Sequence, residues 1–407
     1  MSTIKSILTI GLMGAVATVG AQTTYEKDVA PIIQKNCVSC HSPGGYGPFS
    51  LQTFNDVYKR AKFIGHVTQT RYMPPWKADP TFSRFANERF LSDDEIATIQ
   101  RWIDEGLLRG EDNSESPRII EITDEEPADL VLEMAKPFEL SNDGIEDYRF
   151  FHIPTGLKKD TYVSKIEFIA GNKRYLHHSR VMVDTSGQTA GIDGLSEFDP
   201  LSRSFQTQPL MDEFLYGWVP GNLPVTFPKG IAKLIPANSD LILNIHYAPS
   251  AERVTDLSTV KLYFSKNPVE HLVKSFYIEE EDIANPPFII KAYEKPTFYV
   301  SKTITQDMNV VSLLPHMHFL GKKMVALAIT PDNREIPLIR INDWDFNWQS
   351  TYLLQEPLFL PKGTVLLLVA EYDNTIENPL NPSDPPRDVT YGWNSTDEMM
   401  NLIFYYY

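Results

Sequence analysis

Cysteine constrains this chain more than any other residue type, because only two cysteines occur in 407 residues. Both lie in one pentapeptide, Cys37-Val38-Ser39-Cys40-His41. A disulfide framework therefore cannot stabilise the fold, and the rest of the chain must rely on buried apolar cores. The composition allows such cores, since 42% of the residues are hydrophobic and 22% are charged. This balance excludes a disordered or low-complexity chain.

Charge and length set two further limits. The chain carries 53 acidic and 37 basic residues, which gives a formal net charge of −16. Because such a chain repels phosphate-rich partners, we expect no nucleic-acid partner. A chain of this length is expected to form about two to four domains.

Residues 1–21 have the pattern of a secretory signal peptide. Lys5 supplies a positive start, Ile7–Val19 is mostly apolar, and a small-residue cleavage site precedes Gln22. The alternative is an uncleaved membrane anchor, but the apolar run is short for crossing a bilayer. We therefore predict a periplasmic or secreted mature protein without a membrane span.

The segment 22–110 is predicted to be a small all-α domain. Apolar residues recur at helical spacing in Tyr25–Asn36, and Ser92–Glu95 forms a capping box before an apolar stripe at Ile96–Leu107. Residues 111–128 are rich in acidic side chains and are predicted to be an acidic linker.

Residues 129–407 have β-sheet periodicity, with short apolar runs separated by Pro, Gly, Asn and Asp. The clearest runs are Val163–Ile169, Leu241–Tyr247, Val260–Phe264, Val310–Leu314 and Val365–Tyr372. In addition, Pro236–Tyr247 parallels Pro361–Tyr372, with Pro, Leu and Tyr at matching offsets, although turn-then-strand chemistry can produce such a likeness by chance. We predict two similarly built β-sandwiches of jelly-roll type, at residues 129–285 and 286–407.

The pentapeptide is the pattern by which c-type haem is attached to proteins. Two thiols separated by two residues can each form a thioether with a haem vinyl group, and the next histidine lies below the iron. A thioredoxin-like redox pair has the same cysteine spacing but needs no histidine, and a zinc site would need two more ligands. We therefore predict one covalent haem held by Cys37, Cys40 and His41.

The sixth haem ligand is predicted to be Met73. This methionine lies in a Pro-stiffened loop, Tyr72–Trp76, and its thioether would raise the reduction potential of the haem. His66 is the rival ligand, and a core position is the ordinary alternative for a methionine. Through the pentapeptide, residues 25–108 resemble a single-haem cytochrome c domain.

Histidines cluster in three short strings of the β region. His316 and His318 are two apart on an apolar strand, so both imidazoles can face one metal ion. His177 and His178 are adjacent, and both can face one metal only at a bulge or a strand end. His246 ends an apolar strand, where a lone histidine is more often part of the core. Surface or core histidines are the alternative for each string.

A methionine near the C-terminus adds a fourth string. Met399 lies beside carboxylates in Ser395–Asn401. Methionine normally packs in a core, but together with imidazoles its soft thioether suits copper, because it stabilises Cu(I). In this order, the four strings resemble the copper type II ascorbate-dependent monooxygenases over about residues 129–407. The fold of that family is two β-sandwich domains, each of which offers one copper across a cleft.

The resemblance implies two copper sites with different roles. The first domain would hold an electron-storing copper through His177, His178 and His246. The second would hold the oxygen-activating copper through the catalytic set His316, His318 and Met399.

Departures from that family concern the substrate. Animal peptide-hydroxylating members carry disulfides, whereas residues 129–407 contain no cysteine. The Arg and Tyr with which those members grip a peptide carboxylate are replaced by Leu314 and Ile403. Without that cation a carboxylate loses its main anchor, which disfavours a glycine-extended peptide. His152 and His271 match none of the strings and are predicted to be structural.

These observations predict a copper-dependent monooxygenase, an oxidoreductase that hydroxylates a C–H bond of a small-molecule or peptide substrate with O2. The fused haem, or an external donor such as ascorbate or a redox protein, would supply electrons. One alternative is a periplasmic haem and copper electron-transfer or copper-binding protein without oxygenase activity. Another is a cytochrome joined to a β-sandwich binding module without copper.

Overall fold

The computed structural model describes residues 22–43, 45–111, 126–206, 214–222, 224–392 and 394–407. The predicted signal peptide and most of the predicted acidic linker lie outside these residues. Strands make up 36% of the structure and helices 14%. The predicted predominance of β-structure is therefore confirmed, and each of the five predicted apolar runs lies within a strand. Among the described residues, no helix is long and apolar enough to cross a membrane.

Short helices occupy the first part of the chain. After a π-helical turn at Tyr25–Val29, they are α1 (Ala30–Asn36), α2 (Phe54–Tyr58), α3 (Ala61–Gln69) and α4 (Asp93–Asp104). They share an apolar cluster that includes Ile33, Ile99 and Trp102. Helix α4 begins at the predicted capping box, because the Ser92 hydroxyl accepts a hydrogen bond from the Glu95 amide at 3.2 Å.

The first β unit consists of two main sheets around one apolar cluster. Its strands are β1 (Leu130–Glu133), β2 (Phe138–Glu139), β3 (Asp147–Pro154), β4 (Thr161–Ile169), β5 (Leu176–Asp184), β6 (Phe214–Trp218), β7 (Val225–Thr226), β8 (Ile231–Ile235), β9 (Asp240–Tyr247), β10 (Thr255–Asp256), β11 (Thr259–Phe264) and β12 (His271–Leu272). One sheet has the order β1-β11-β4-β8-β12, with β7 beside β4, and the other has the order β3-β9-β5-β6. A 3-10 turn at Thr189–Ile192 and helix α5 (Pro200–Gln206) lie between β5 and β6.

The second β unit has the same two-layered plan. Its strands are β13 (Lys274–Ile278), β14 (Ile289–Ile290), β15 (Thr297–Thr303), β16 (Met308–His316), β17 (Gly321–Ile329), β18 (Glu335–Ile341), β19 (Tyr352–Leu360), β20 (Val365–Tyr372), β21 (Val389–Thr390) and β22 (Asn401–Tyr406). The two sheets have the orders β13-β22-β16-β19 and β15-β20-β17-β18. Strand β13 precedes the predicted division at residues 285 and 286, yet it pairs with the C-terminal strand β22.

The two parallel sequence runs occupy equivalent places in the two units. Each starts with a turn, in which the Ser239 amide donates to Pro236 O at 3.3 Å and the Thr364 amide donates to Pro361 O at 3.1 Å. The third residue of each run has a positive φ, which is 58° at Asn238 and 89° at Gly363. Strands β9 and β20 then follow, each between two neighbours of a four-stranded sheet. The likeness therefore reflects the same turn and the same central strand.

The segment between α3 and α4 packs on the second β unit. Isolated bridges join Ala78 to Ile341 and Phe85 to Leu354. Both Ala78 and Phe85 are buried in the apolar cluster of that unit. This part of the predicted helical domain thus belongs to a β core, and a separate all-α domain at residues 22–110 stays a prediction.

Asp79 anchors this segment on the second unit. Its carboxylate accepts hydrogen bonds from the Thr81 amide at 2.8 Å, from Arg340 Nε at 2.9 Å and from Asn342 Nδ2 at 2.9 Å. The hydrogen bonds from Thr81, followed by those from Arg340 and Asn342, lower the pKa of the Asp79 carboxyl to about 2. The charged form is therefore stabilised by folding.

We expect Asp79→Ala to lower the free energy of unfolding by about 2 kcal/mol at neutral pH, because it removes several hydrogen bonds to a charged group. The unfolded pKa is near 3.9, so the difference should fade as the pH falls from about 4 towards 2. Urea denaturation at several pH values would measure it. Asp93→Ala is the control, since that carboxylate is 93% exposed and should cost less than about 1 kcal/mol. Equal effects of the two substitutions would contradict the anchoring role.

Candidate metal centres

Three histidines meet where β5 and β9 pair. His178 and His246 are cross-strand partners, and the register shifts between Leu176 and His178. His177 is therefore the extra residue at an irregularity in the strand. Two adjacent histidines need such an irregularity in order to face the same side.

The Nδ1 atoms of these three histidines converge. The Nδ1 atoms of His177 and His178 are 3.3 Å apart, and those of His178 and His246 are 3.4 Å apart. Two nitrogen ligands at about 2.0–2.1 Å from a tetrahedral metal ion are separated by about 3.3 Å. Two of the three pairs have this spacing, and one ligand atom from each ring lies within 4.8 Å of the others, so the three imidazoles form a candidate site for one metal ion.

Hydrogen-bond acceptors lie behind two of these rings. His177 Nε2 is 3.1 Å from Asn347 Oδ1, and His246 Nε2 is 3.5 Å from Glu146 Oε2. Tyr148 stacks on the His246 ring at 4.0 Å between centroids. The Asn347 contact leaves His177 Nδ1 to bind a metal, and the Tyr148 stacking fixes the orientation of the His246 ring.

His316 and His318 form a second pair at the end of β16. Their Nε2 atoms are 3.2 Å apart, as expected for side chains two apart that project to one face. The opposite nitrogens are engaged, because His316 Nδ1 bonds Gln349 Oε1 and His318 Nδ1 is 3.2 Å from Asp397 O. The second pair would therefore bind a metal through Nε2, unlike the first group.

Burial keeps the imidazoles in the form that binds metals. Desolvation, followed by the charge of His246, lowers the pKa of His177 to about 4. Desolvation likewise lowers the pKa of His316 to about 3 and that of His318 to about 4. A metal needs the neutral imidazole, and these rings are neutral at any pH near 7.

A cavity of about 200 Å³ joins the two groups. His178 of the first group and both histidines of the second line it, together with the buried Met399. The rest of the wall is largely apolar and includes Trp218, Leu314 and Ile403. For scale, an engineered apolar cavity of about 150 Å³ holds benzene. The cavity therefore suits a small molecule or one side chain of a larger one.

Arg180 is a cavity residue that the sequence analysis missed. It lines the cavity beside the histidines, and its guanidinium donates to Glu197 Oε1 at 3.0 Å and to Asn244 Oδ1 at 2.9 Å. The sequence contained a signal, because Arg180 is two residues after His178 on one strand and so shares its face. The cavity thus contains a cation although Leu314 replaces the expected arginine.

The thiols of the pentapeptide lie just beyond α1. The His41 amide donates to Cys37 O at 2.9 Å, and His41 Nδ1 is 3.0 Å from Phe49 O. That contact leaves His41 Nε2 to bind a metal. Burial, followed by the charge of Cys40, raises the pKa of the Cys37 thiol to about 12. The two thiols and His41 Nε2 are the groups that a covalently attached haem would use.

The two candidates for the sixth haem ligand differ in exposure. His66 is exposed on α3, whereas Met73 is half-buried and its amide donates to Val67 O at 3.0 Å.

The cysteine segment contacts the wall of the cavity. Tyr46 packs on Trp218, with ring centroids 5.3 Å apart. Arg89 Nη1 donates to the carbonyl oxygen of Gly221. A Cβ atom on Gly221 would lie only 2.8 Å from Cys40 Sγ. The cysteine segment and the cavity are therefore neighbours across this contact.

Gly221→Ala should be destabilising for two reasons. Its φ is +81°, and an added Cβ would collide with Cys40 Sγ. We expect a loss of about 2–5 kcal/mol in the free energy of unfolding, the sum of backbone strain and overpacking. Gly187→Ala is the matched control, because its φ is +67° but nothing lies within 4 Å. It should cost only about 1–2 kcal/mol. Equal losses in urea denaturation would contradict the close contact with Cys40.

The other two histidines of the β region have ordinary partners. His152 Nε2 is 2.9 Å from Asp240 Oδ2, and His271 stacks on Tyr407 with centroids 4.7 Å apart. Both contacts are those of structural histidines outside the two groups.

Comparison with known proteins gives one family match. Residues 293–407 match the model of the copper type II ascorbate-dependent monooxygenase C-terminal domain. The match includes the second histidine pair and Met399. No curated protein matches the chain.

Three solved structures resemble the chain weakly. An allantoicase structure is 9% identical over 58% of this chain and 81% of its own, with a TM-score of 0.17. An allantoicase from Saccharomyces cerevisiae is 9% identical over 67% of this chain and 81% of its own, with a TM-score of 0.20. A structure of infectious bursal disease virus, Gx strain, is 8% identical over 68% of this chain and 76% of its own, with a TM-score of 0.15. Such TM-scores are too low to carry an argument about fold or function.

Proposed function

We propose that this protein is a copper-dependent monooxygenase that hydroxylates a C–H bond of a small substrate with O2. One observation carries the proposal. Two groups of buried or half-buried imidazoles, each with ring nitrogens 3.2 to 3.4 Å apart, meet at one cavity, which is lined by His178, His316 and His318. The second group lies within the region that matches the monooxygenase C-terminal domain.

Each group has its own role in the proposal. His177, His178 and His246 would hold a copper that stores an electron, and His316, His318 and Met399 would hold the copper at which oxygen reacts. Bound copper supplies the one-electron chemistry of oxygen activation, which protein side chains cannot supply. The thioether of Met399 favours the reduced metal.

The remaining cavity residues would orient the substrate and exclude water. Leu314 and Ile403 give the wall its apolar character, which removes water from the reacting C–H bond. The Arg180 guanidinium, held by Glu197 and Asn244, would offer N–H donors to a polar group of the substrate.

We further propose that Cys37, Cys40 and His41 hold one haem, with Met73 as the sixth ligand. The haem would be an electron carrier, alongside an external donor such as ascorbate or a redox protein. The contact of Tyr46 with Trp218 supports this role, because Trp218 also lines the cavity. Haem attachment and the predicted signal peptide fit a periplasmic or secreted protein.

Metal content and oxygen uptake test the proposal. The mature protein should contain two copper ions for each haem iron, and ascorbate-driven oxygen uptake should require the copper. Iron without copper would contradict the proposal and favour a cytochrome joined to a binding module. Two copper ions without oxygen uptake would favour an electron-transfer or copper-binding protein.

The haem relay has its own test. Chemically reduced haem should be reoxidised by O2 and substrate only in the copper-loaded protein. Reoxidation at the same rate without copper would contradict the relay and leave the monooxygenase proposal standing.

A further inference from the structure

We propose that the connection between β18 and β19, residues 342–351, is a positioning element for both metal centres. We call it the bridging loop. This inference rests on the proposed function, because it concerns residues behind the copper ligands. Neither the sequence strings nor the family match assigns a role to the loop.

The bridging loop supplies one hydrogen-bond acceptor to each centre. Asn347 Oδ1 is 3.1 Å from His177 Nε2, and Gln349 Oε1 bonds His316 Nδ1. In both cases the amide contacts the nitrogen opposite to the one that converges with the other ligands. Each amide oxygen therefore selects the tautomer in which the converging nitrogen is free for a metal.

Apolar contacts of the same loop also reach both centres. The Phe346 ring is 5.5 Å from the His177 ring and 5.6 Å from the His318 ring, between centroids. The Trp344 indole N–H donates to His318 O at 3.1 Å. His177 belongs to the first β unit and His318 to the second, so one loop contacts ligands from both units.

Internal hydrogen bonds hold the loop in shape. Gln349 Nε2 donates to Phe346 O at 2.9 Å, and the Asn347 amide donates to Asp345 Oδ1 at 3.0 Å. Phe346 and Gln349 are buried, whereas Asn347 is exposed. Because water can replace an exposed acceptor, the loss of Asn347 should matter less than the loss of Gln349.

The outer side of the loop is held by the segment between α3 and α4. Lys77 Nζ is 3.1 Å from an Asp343 carboxylate oxygen and 3.7 Å from one of Asp345. Asn87 Nδ2 donates to Thr351 O at 2.7 Å. The loop is thus fixed on one side by the N-terminal part of the chain and contacts both histidine groups on the other.

Two pairs of variants in the full-length haem protein test the role. Gln349→Leu keeps the shape of the side chain but removes the acceptor, and Gln349→Glu keeps an acceptor oxygen. Asn347→Leu and Asn347→Asp form the second pair. The affinity for each copper is measured by competition with a chelator, and the Cu(II) signal is followed by electron paramagnetic resonance.

Gln349→Leu should weaken copper binding at the His316 and His318 site by about 10- to 100-fold and leave the three-histidine site unchanged. Asn347→Leu should weaken copper binding at the three-histidine site, which includes His177, by about tenfold, the lower end of that range. The acidic variants should bind copper more tightly than the leucine variants, because each keeps an acceptor oxygen at the histidine. In a His316→Ala background, Asn347→Leu should still weaken the remaining copper, whereas Gln349→Leu should not.

A conservative change in the centre of the loop tests whether it acts as one element. Phe346→Leu should weaken both copper sites and change both Cu(II) signals. If both leucine variants bind two copper ions with wild-type affinity, the positioning role is overturned while the proposed function stands. If the wild-type protein itself binds no copper, the proposed function fails first.

Discussion

Replacement of His316 by alanine is expected to remove one copper ion per chain and to lower ascorbate-driven oxygen uptake by at least about 100-fold, more than the loss of an outer-shell partner costs. The Nε2 atoms of His316 and His318 are only 3.2 Å apart, so both are needed to hold one ion. Without His316, the second centre keeps one imidazole and the thioether of Met399, which is too few ligands for a firm site.

The first centre should survive this substitution, because its three imidazoles come from β5 and β9. The variant should therefore retain one copper ion, which would show that the first centre is still folded. His271→Ala is the control, since His271 is exposed and stacks on Tyr407 away from both groups. It should keep both copper ions and full oxygen uptake. Wild-type uptake by His316→Ala would contradict the catalytic role of the second centre.

The second large effect is expected at the pentapeptide. The double substitution Cys37→Ala and Cys40→Ala should abolish covalent haem attachment, because no other cysteine exists in the chain. Each single substitution should leave one thioether and a smaller amount of attached haem. The mass of the intact protein and the haem absorbance would measure both outcomes.

Copper binding provides the internal control for the cysteine variants. The proposed copper sites use five imidazoles and the Met399 thioether but neither cysteine, so the double variant should still bind two copper ions. Its ascorbate-driven oxygen uptake should persist if ascorbate can reduce the copper directly. A wild-type protein with two freely alkylated thiols, or with zinc in place of haem, would contradict the haem assignment.

Several features were predictable because they depend on local spacing. Strand runs such as Leu241–Tyr247 were visible as short apolar runs between turn residues, and this run is buried along its whole length. The convergence of His316 and His318 followed from the alternation of side chains along extended backbone. The capping box at Ser92 predicted the start of α4 for an equally local reason.

Other features could not be predicted from the sequence alone, because they depend on how distant strands pair. Adjacent His177 and His178 required an irregular strand, and the pairing of β5 with β9 supplies it. Strand β13 lies before the predicted division but pairs with β22, more than 100 residues later in the chain. Such pairings depend on the whole sheet, so apolar periodicity alone did not reveal them.

The sequence by itself determined the ligand types, the strand character of the β region and the absence of a disulfide framework. Only the tertiary structure decided which ring nitrogens converge and that Arg180 lines the cavity. It also decided that the bridging loop reaches both centres, through contacts that span 170 residues to His177 and 33 residues to His316. The physical reason is that local spacing follows from backbone geometry, whereas these contacts exist only after distant segments have packed together.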